Sequence, residues 1–116
     1  MNKYEILKIM SQSPREIIIE LAQSIMKKNE IKVIKKPCKI MVIINKKESG
    51  YNSNYKLKKI PACEAEVGLG EEKGIAVLSG DDLEKVLAMA VVDVAINAKI
   101  PESNYIMKEL NEIKAM

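Results

Sequence analysis

Asp81, Asp82 and Asp93 are the carboxylates best placed to do chemistry in this chain, and Lys58 and Lys59 the cations. A phosphoryl-transfer site would draw its metal from those acids and its charge neutralisation from those lysines. Gly80, just before a helix start, would add backbone N–H groups for a phosphate. The spacing does not demand that arrangement. One glycine is not a phosphate loop. Asp81 and Asp82 would repel a bare phosphate, although they could meet a metal or a ribose hydroxyl. The sequence holds no histidine, so serine and cysteine nucleophiles lack their usual base. Cys38 and Cys63 lie far apart without CxxC spacing and cannot form a structural zinc site alone. They read as buried or half-buried thiols of a reducing cytosol. No catalytic, metal-binding or cofactor-binding residue is therefore assigned, no cofactor is implied, and independent enzyme activity is not expected.

Asp93 is the sharpest of these residues. It lies in the middle of a helix that carries no other charge from Val86 to Ala98. Its neighbours along the helix surface are Val86, Ala90 and Asn97. A buried carboxylate must be paired, hydrogen-bonded or protonated. Asp93 is then either an acid satisfied by a lysine or backbone groups where two elements meet, or an acid of raised pKa in a cleft. The helix itself is apolar nearly all round. Leu83, Leu87, Val91, Val94 and Ala98 form its core stripe, with Ala88, Met89, Val92 and Ile96 largely behind. Such a helix needs covering on all sides. Met89, Val92, Asp93 and Ile96 are accordingly candidates for an interface with another chain, in a homo- or hetero-oligomer.

Charge is divided along the chain. Residues 27 to 59 hold eleven lysines against Glu30 and Glu48, whereas residues 60 to 102 hold three lysines against nine acids. Blocks of this size can steer a ligand or partner, or attract each other within the fold. Phe and Trp are absent and Arg15 is the single arginine. Stacking platforms and bidentate phosphate forks are thus poorly supplied, and nucleic acid is disfavoured as a partner. Lys58 and Lys59 are weak ligand candidates, since lysines also protect an edge strand from unwanted pairing. Asp81 and Asp82 are weak candidates too, because acids at a helix start serve as caps. No apolar run approaches the ~18 residues of a membrane span. Met1 to Met10 alternates charged and apolar residues and lacks the core of a signal peptide. A cytoplasmic location without membrane contact is expected.

The 116 residues suit one domain, 1–116, of the α+β class. Tyr4, Ile6, Leu7 and Met10 have helical spacing. Ser13, Pro14 and Glu16 read as the cap and first turn of a second helix ending near Lys28. Ile31 to Ile34 predicts a short strand stopped before Pro37. Ile40-Met-Val-Ile-Ile44 predicts a central strand covered on both faces. A polar loop follows from Glu48 to Asn54. Tyr55 to Ile60 alternates, and Pro61 confines it to an edge, a strand start or a bulge. Cys63 to Leu69 alternates cleanly, and a Gly70–Gly74 hairpin loop returns the chain through Ile75 to Leu78. Asp81 reads as the N-cap of the apolar helix, with Glu84 completing a capping box. Pro101 stops that helix, and Tyr105 to Ala115 forms the last one. The expected architecture is a small, mainly antiparallel sheet of about four strands, packed with an N-terminal helical pair and C-terminal helices.

Tyr55-Lys-Leu57, Cys63-Glu-Ala-Glu-Val67, the Gly74, Ala76, Gly80, Asp82 turn, and Ala88, Ala90, Asp93, Ala95 followed by Asn97 to Glu102 together resemble the PhnG family. This family is the G subunit of the carbon–phosphorus lyase core complex. Lys58-Lys59 stands where the family usually has Gly-Glu, and the loop before it is poorer in glycine. The C-terminus is shorter than in many members. The resemblance implies a phosphonate-degrading system whose core contains G, H, I and J subunits. In that system G, H and I, helped by an L subunit, take part in forming a ribose 1-phosphonate 5-triphosphate from ATP and an alkylphosphonate. Nucleosidase activity belongs to I and iron–sulfur radical cleavage to J, leaving G as a non-catalytic partner. The alternative reading is a stand-alone small binding domain whose basic face, Lys27 to Lys59, holds an anionic ligand or nucleic acid.

Overall fold

The described residues form four helices and three strands: α1 (Lys3–Gln12), α2 (Arg15–Lys28), β1 (Lys32–Lys47), β2 (Tyr55–Leu69), β3 (Glu72–Ser79), α3 (Leu83–Asn97) and α4 (Ser103–Ala115). The structure, a computed structural model, describes residues 2–47 and 55–115, and for 44–47 and 55–57 it describes the backbone alone. The polar loop expected from Glu48 to Asn54 lies outside the described residues.

Local chemistry sets the helix boundaries. The Asn2 side chain starts α1 by accepting from the Glu5 N–H at 2.8 Å. Ser13 does not cap α2, as its spacing had suggested. It is extended (φ −80°, ψ 153°), the conformation favoured before proline, and it ends α1 instead. Its hydroxyl donates back to the Ile9 carbonyl, and Pro14 takes the position preceding α2.

The strands form an antiparallel meander in the order β1-β2-β3. There are three rather than about four because two pairs of expected strands run together through their prolines. Pro37 lies where the β1–β2 register shifts between Lys35 and Cys38. A bulge on an edge strand tolerates the missing N–H. Pro61 is accommodated differently. Its carbonyl accepts from the Gly80 N–H at 3.0 Å, while ladder pairing with β3 begins one residue later, at Ala62 opposite Ser79. Its absent N–H faces the end of β3, so no ladder bond is lost.

This meander overturns one expectation. The Ile40–Ile44 run is not a central covered strand. It belongs to β1, an edge strand, and pairs with a stretch of β2 that has already outrun β3. Residues 40–47 and 55–61 therefore form a two-stranded ribbon projecting from the sheet, and the molecule measures 56 × 32 × 25 Å.

α3 is the centre of the domain. β2 and β3 pack on one side of it, α2 on another, and α1 and α4 near its remaining surface. That arrangement accounts for a helix apolar all round. It also reorders the faces expected from the sequence. Leu83, Leu87 and Ala98 of the supposed core stripe are only half-buried, whereas Met89 and Val92 behind it are 0% exposed. Ala90 and Val94 lie against β3 at Gly74. A Cβ added there would overlap the Ala90 carbonyl oxygen and stand 2.5 Å from the Val94 nitrogen. Glycine at 74 is what lets strand and helix backbones touch.

Candidate functional site

The candidate acids occupy two places, the start of α3 and its contact with β3. At the start, Asp82 rather than Asp81 is the cap. Its Oδ1 accepts from the Lys85 N–H at 3.1 Å. The Arg15 guanidinium grips the same carboxylate, Nε donating to Oδ2 at 2.9 Å and Nη2 to Oδ1 at 3.3 Å. Arg15 also reaches Glu84 at 3.4 Å. Its hydrogen bond to Asp82 is the main reason that the Asp82 carboxyl sits below the usual carboxylate range. Asp81 is exposed beside this cluster.

The sign of that shift gives a testable result. A carboxylate whose folded pKa is depressed stabilises the fold above its unfolded value of about 4, and that contribution fades as pH falls through the folded value. Asp82→Asn keeps a capping side chain but removes the charge facing Arg15. The variant should be less stable than the parent near neutrality. The gap should close as pH drops below about 4, read from urea unfolding at several pH values. A gap independent of pH would show that the ion pair contributes nothing.

Lys85, which the sequence reading did not single out, is buried at the junction of three helices. Its Nζ donates to the Ser11 carbonyl at 2.9 Å and the Ser13 carbonyl at 2.7 Å, closing the C-terminal end of α1. An ammonium suits that end because it satisfies orphan carbonyls and faces the negative pole of the helix. A signal was available in the spacing. Lys85, Met89 and Val92 follow one another at i, i+4 and i+7, so a cover over Met89 and Val92 extends over Lys85.

Asp93 is 4% exposed and likewise finds its partners within this chain. Its Oδ2 accepts from the Ile75 N–H of β3 at 3.1 Å, with Asn97 Nδ2 at 3.4 Å and the exposed Lys3 ammonium at 3.8 Å. Asn97 Nδ2 also donates to the Lys73 carbonyl at 2.8 Å. One helical turn of α3 thus satisfies two neighbouring polar groups on the free edge of β3, as a fourth strand would. Met89 and Val92 present no surface to another chain, because this chain covers them itself, and Ile96 is half-buried. Back-face residues of α3 were expected to meet a partner. The helices α1, α2 and α4 take up that space instead.

Lys58 and Lys59 are exposed on the ribbon, Lys59 opposite Ile43 and Lys58 opposite Ile44. Asp82 is occupied by Arg15 and its capping bond, while Lys58 and Lys59 stand on the ribbon. A groove of about 160 Å³ between α2 and α3 is lined by Ile19, Ala22, Met26, Leu87 and Val91, with Gln23 and Glu84 among its polar groups. That is smaller than a typical small-molecule pocket of roughly 300 Å³ or more, whereas open grooves of about 350 and 320 Å³ lie beside α1 and α4, both lined by Ile9, Gln12 and Lys114. Among the described residues, no three His, Cys, Asp or Glu side chains converge as a metal site would require. Burial pushes the Cys63 thiol up, away from reactivity. No helix among the described residues is long and apolar enough to cross a membrane.

A three-stranded antiparallel meander wrapped on a central apolar helix, with charged side chains that fasten its elements together, defines a small α+β domain. The family model described as phosphonate metabolism protein PhnG matches residues 1–116, the whole chain, and the chain belongs to that family. None of the curated proteins matches it. The family-like turn has a structural meaning throughout. Gly74 admits the α3 backbone, Ala76 is a buried small residue beside it, Gly80 takes φ +96° to leave the strand, and Asp82 caps the helix.

Proposed function

We propose that this chain is a non-catalytic subunit of a carbon–phosphorus-lyase-type assembly, working in the cytoplasm beside H-, I- and J-like subunits. It supports formation of ribose 1-phosphonate 5-triphosphate from ATP and an alkylphosphonate. The observation carrying the reading is the whole-length match to a family of phosphonate metabolism proteins. The chemistry of the chain agrees with it. Asp82, Asp93, Arg15 and Lys85 are all committed to holds between its own elements. A structural subunit can spend its charges in this way, whereas a catalyst must keep some for substrate.

The test is reconstitution. H-, I- and L-like proteins are incubated with ATP and methylphosphonate, with and without this chain, and the phosphonate product is followed by phosphorus NMR. Product should form with the chain present and collapse without it, and the chain alone should turn over nothing. Unchanged product in its absence overturns the reading, as does turnover by the isolated chain. The exposed Lys58 and Lys59 keep one alternative specific, a ribbon that holds an anion or nucleic acid by itself. That alternative predicts retention of the isolated chain on heparin, lost steeply with salt.

A further inference from the structure

The described residues leave apolar side chains open on the ribbon of residues 40–47 and 55–61. Ile40-Met-Val-Ile-Ile44 has the composition of a strand buried on both faces. Yet Met41 is 56% and Ile43 60% exposed on one face, and Ile40, Val42 and Ile60 are only half-buried on the other. The two strands continue in register for roughly 23 Å past the sheet, at about 3.3 Å per residue. An isolated two-stranded ribbon is at best marginally stable in water. Its outer edges carry backbone N–H and C=O groups that β3 does not reach.

We propose that this ribbon is a docking arm that enters a cleft in another protein of the assembly, a cleft with an apolar floor and a carboxylate-bearing rim. The proposal rests on the reading of the chain as a subunit. Charge defines the partner. The described ribbon sequence from 39 to 47 and 55 to 61 carries Lys39, Lys46, Lys47, Lys56, Lys58 and Lys59 and no acid. Six lysines and no carboxylate on one arm call for an acidic rim on the partner. Two such arms would repel each other, so a symmetric arm-to-arm pair of this chain is disfavoured. Several carboxylates on the body of a second copy are already engaged: Asp82 and Glu84 face Arg15, Glu64 faces Lys35, Glu102 faces Lys28 and Glu5 faces Lys114. Nucleic acid does not explain Met41 and Ile43, since a phosphate backbone gives apolar side chains nothing to pack on. The free ribbon edges add a second means of attachment, by strand pairing within the cleft.

The experiment co-expresses the full chain, tagged, with the H-, I- and J-like subunits and measures what co-purifies. Three forms are compared: the parent, an arm variant (Met41→Asp with Ile43→Asp), and a body-sheet variant (Ile75→Asp with Val77→Asp). Ile75 and Val77 are similarly exposed, at 50% and 46%, but lie on the outer face of β3. The parent and the body-sheet variant should retain the partner, and the arm variant should lose it by about tenfold or more, as for a central interface residue. Its thermal midpoint should stay within about 3 °C of the parent, because the arm lies outside the core. Lys58→Glu with Lys59→Glu gives a second arm variant without added apolar-to-polar change, and it should also weaken retention. Retention by both arm variants overturns the proposal while leaving the subunit reading intact. A parent that retains none of the three subunits overturns both. Self-association of the isolated parent that the arm variants abolish makes the occupant a second copy and overturns the proposed partner, and arm-dependent binding to a DNA oligonucleotide overturns it in favour of nucleic acid.

Discussion

Gly74→Ala is expected to destabilise the chain by about 3 kcal/mol, at the upper end of overpacking effects. The added Cβ meets backbone rather than flexible side chains: the Ala90 carbonyl oxygen, the Val94 nitrogen at 2.5 Å and the Val94 Cβ at 2.7 Å. None of these can rotate away, so relief requires α3 to move off β3 as a body. Such movement would also disturb the Asp93 and Asn97 bonds to the strand edge one turn along. The natural comparison is Gly80→Ala. Gly80 has φ +96° but nothing within 4 Å of an added Cβ, so its cost is backbone strain alone, about 1–2 kcal/mol. Urea unfolding of both variants, with m-values checked for constancy, separates crowding from strain. If Gly74→Ala costs no more than Gly80→Ala, the close approach of helix and strand is wrong.

Asp93→Ala should cost about 2–3 kcal/mol, because it removes a charge-assisted acceptor and leaves the Ile75 N–H without its partner. Asp93→Asn should recover much of that loss, since an amide oxygen can still accept from the same N–H. The substitution has a second expected readout. With the β3 edge no longer satisfied by α3, Asp93→Ala should aggregate more readily on partial unfolding, as exposed strand edges do. Light scattering at the foot of the thermal transition measures this. An Asp93→Ala chain as stable as the parent, assembling poorly with its partners, would instead return Asp93 to the interface.

The two residues show how much of the site a linear reading can reach. That Asp93 must be paired or hydrogen-bonded is dictated by one charge among apolar neighbours. Its partner is the backbone of a strand eighteen residues earlier, and no local pattern specifies that. Lys85 was harder to see. A lysine in the first turn of a helix usually points to water, and only the fold of α1 against α3 turns its ammonium onto the Ser11 and Ser13 carbonyls. The shift of the cap from Asp81 to Asp82 is of the same kind. Either carboxylate can cap locally, and Arg15, brought in by α2, holds Asp82. Pro37 read as a strand stop, and Pro61 as the mark of an edge, a strand start or a bulge, because their cost was judged without knowing which neighbour was missing. At a bulge or opposite the end of β3 they lose no ladder bond, and β1 and β2 run on through them.

Local sequence determined the helices, the antiparallel hairpin, the turn from β3 into α3 and the PhnG resemblance. Those depend on period, capping and glycine or proline chemistry within a few residues. Only the tertiary structure decided what covers what. An apolar helix and an apolar strand look equally in need of company in the sequence. In the fold, α3 finds its cover inside the chain, from the sheet and three helices, whereas the Ile40–Ile44 run is carried past the end of β3. Burial depends on which distant elements arrive beside a residue. It was this, and not hydrophobicity alone, that covered the back of α3 and left Met41 and Ile43 of the ribbon exposed.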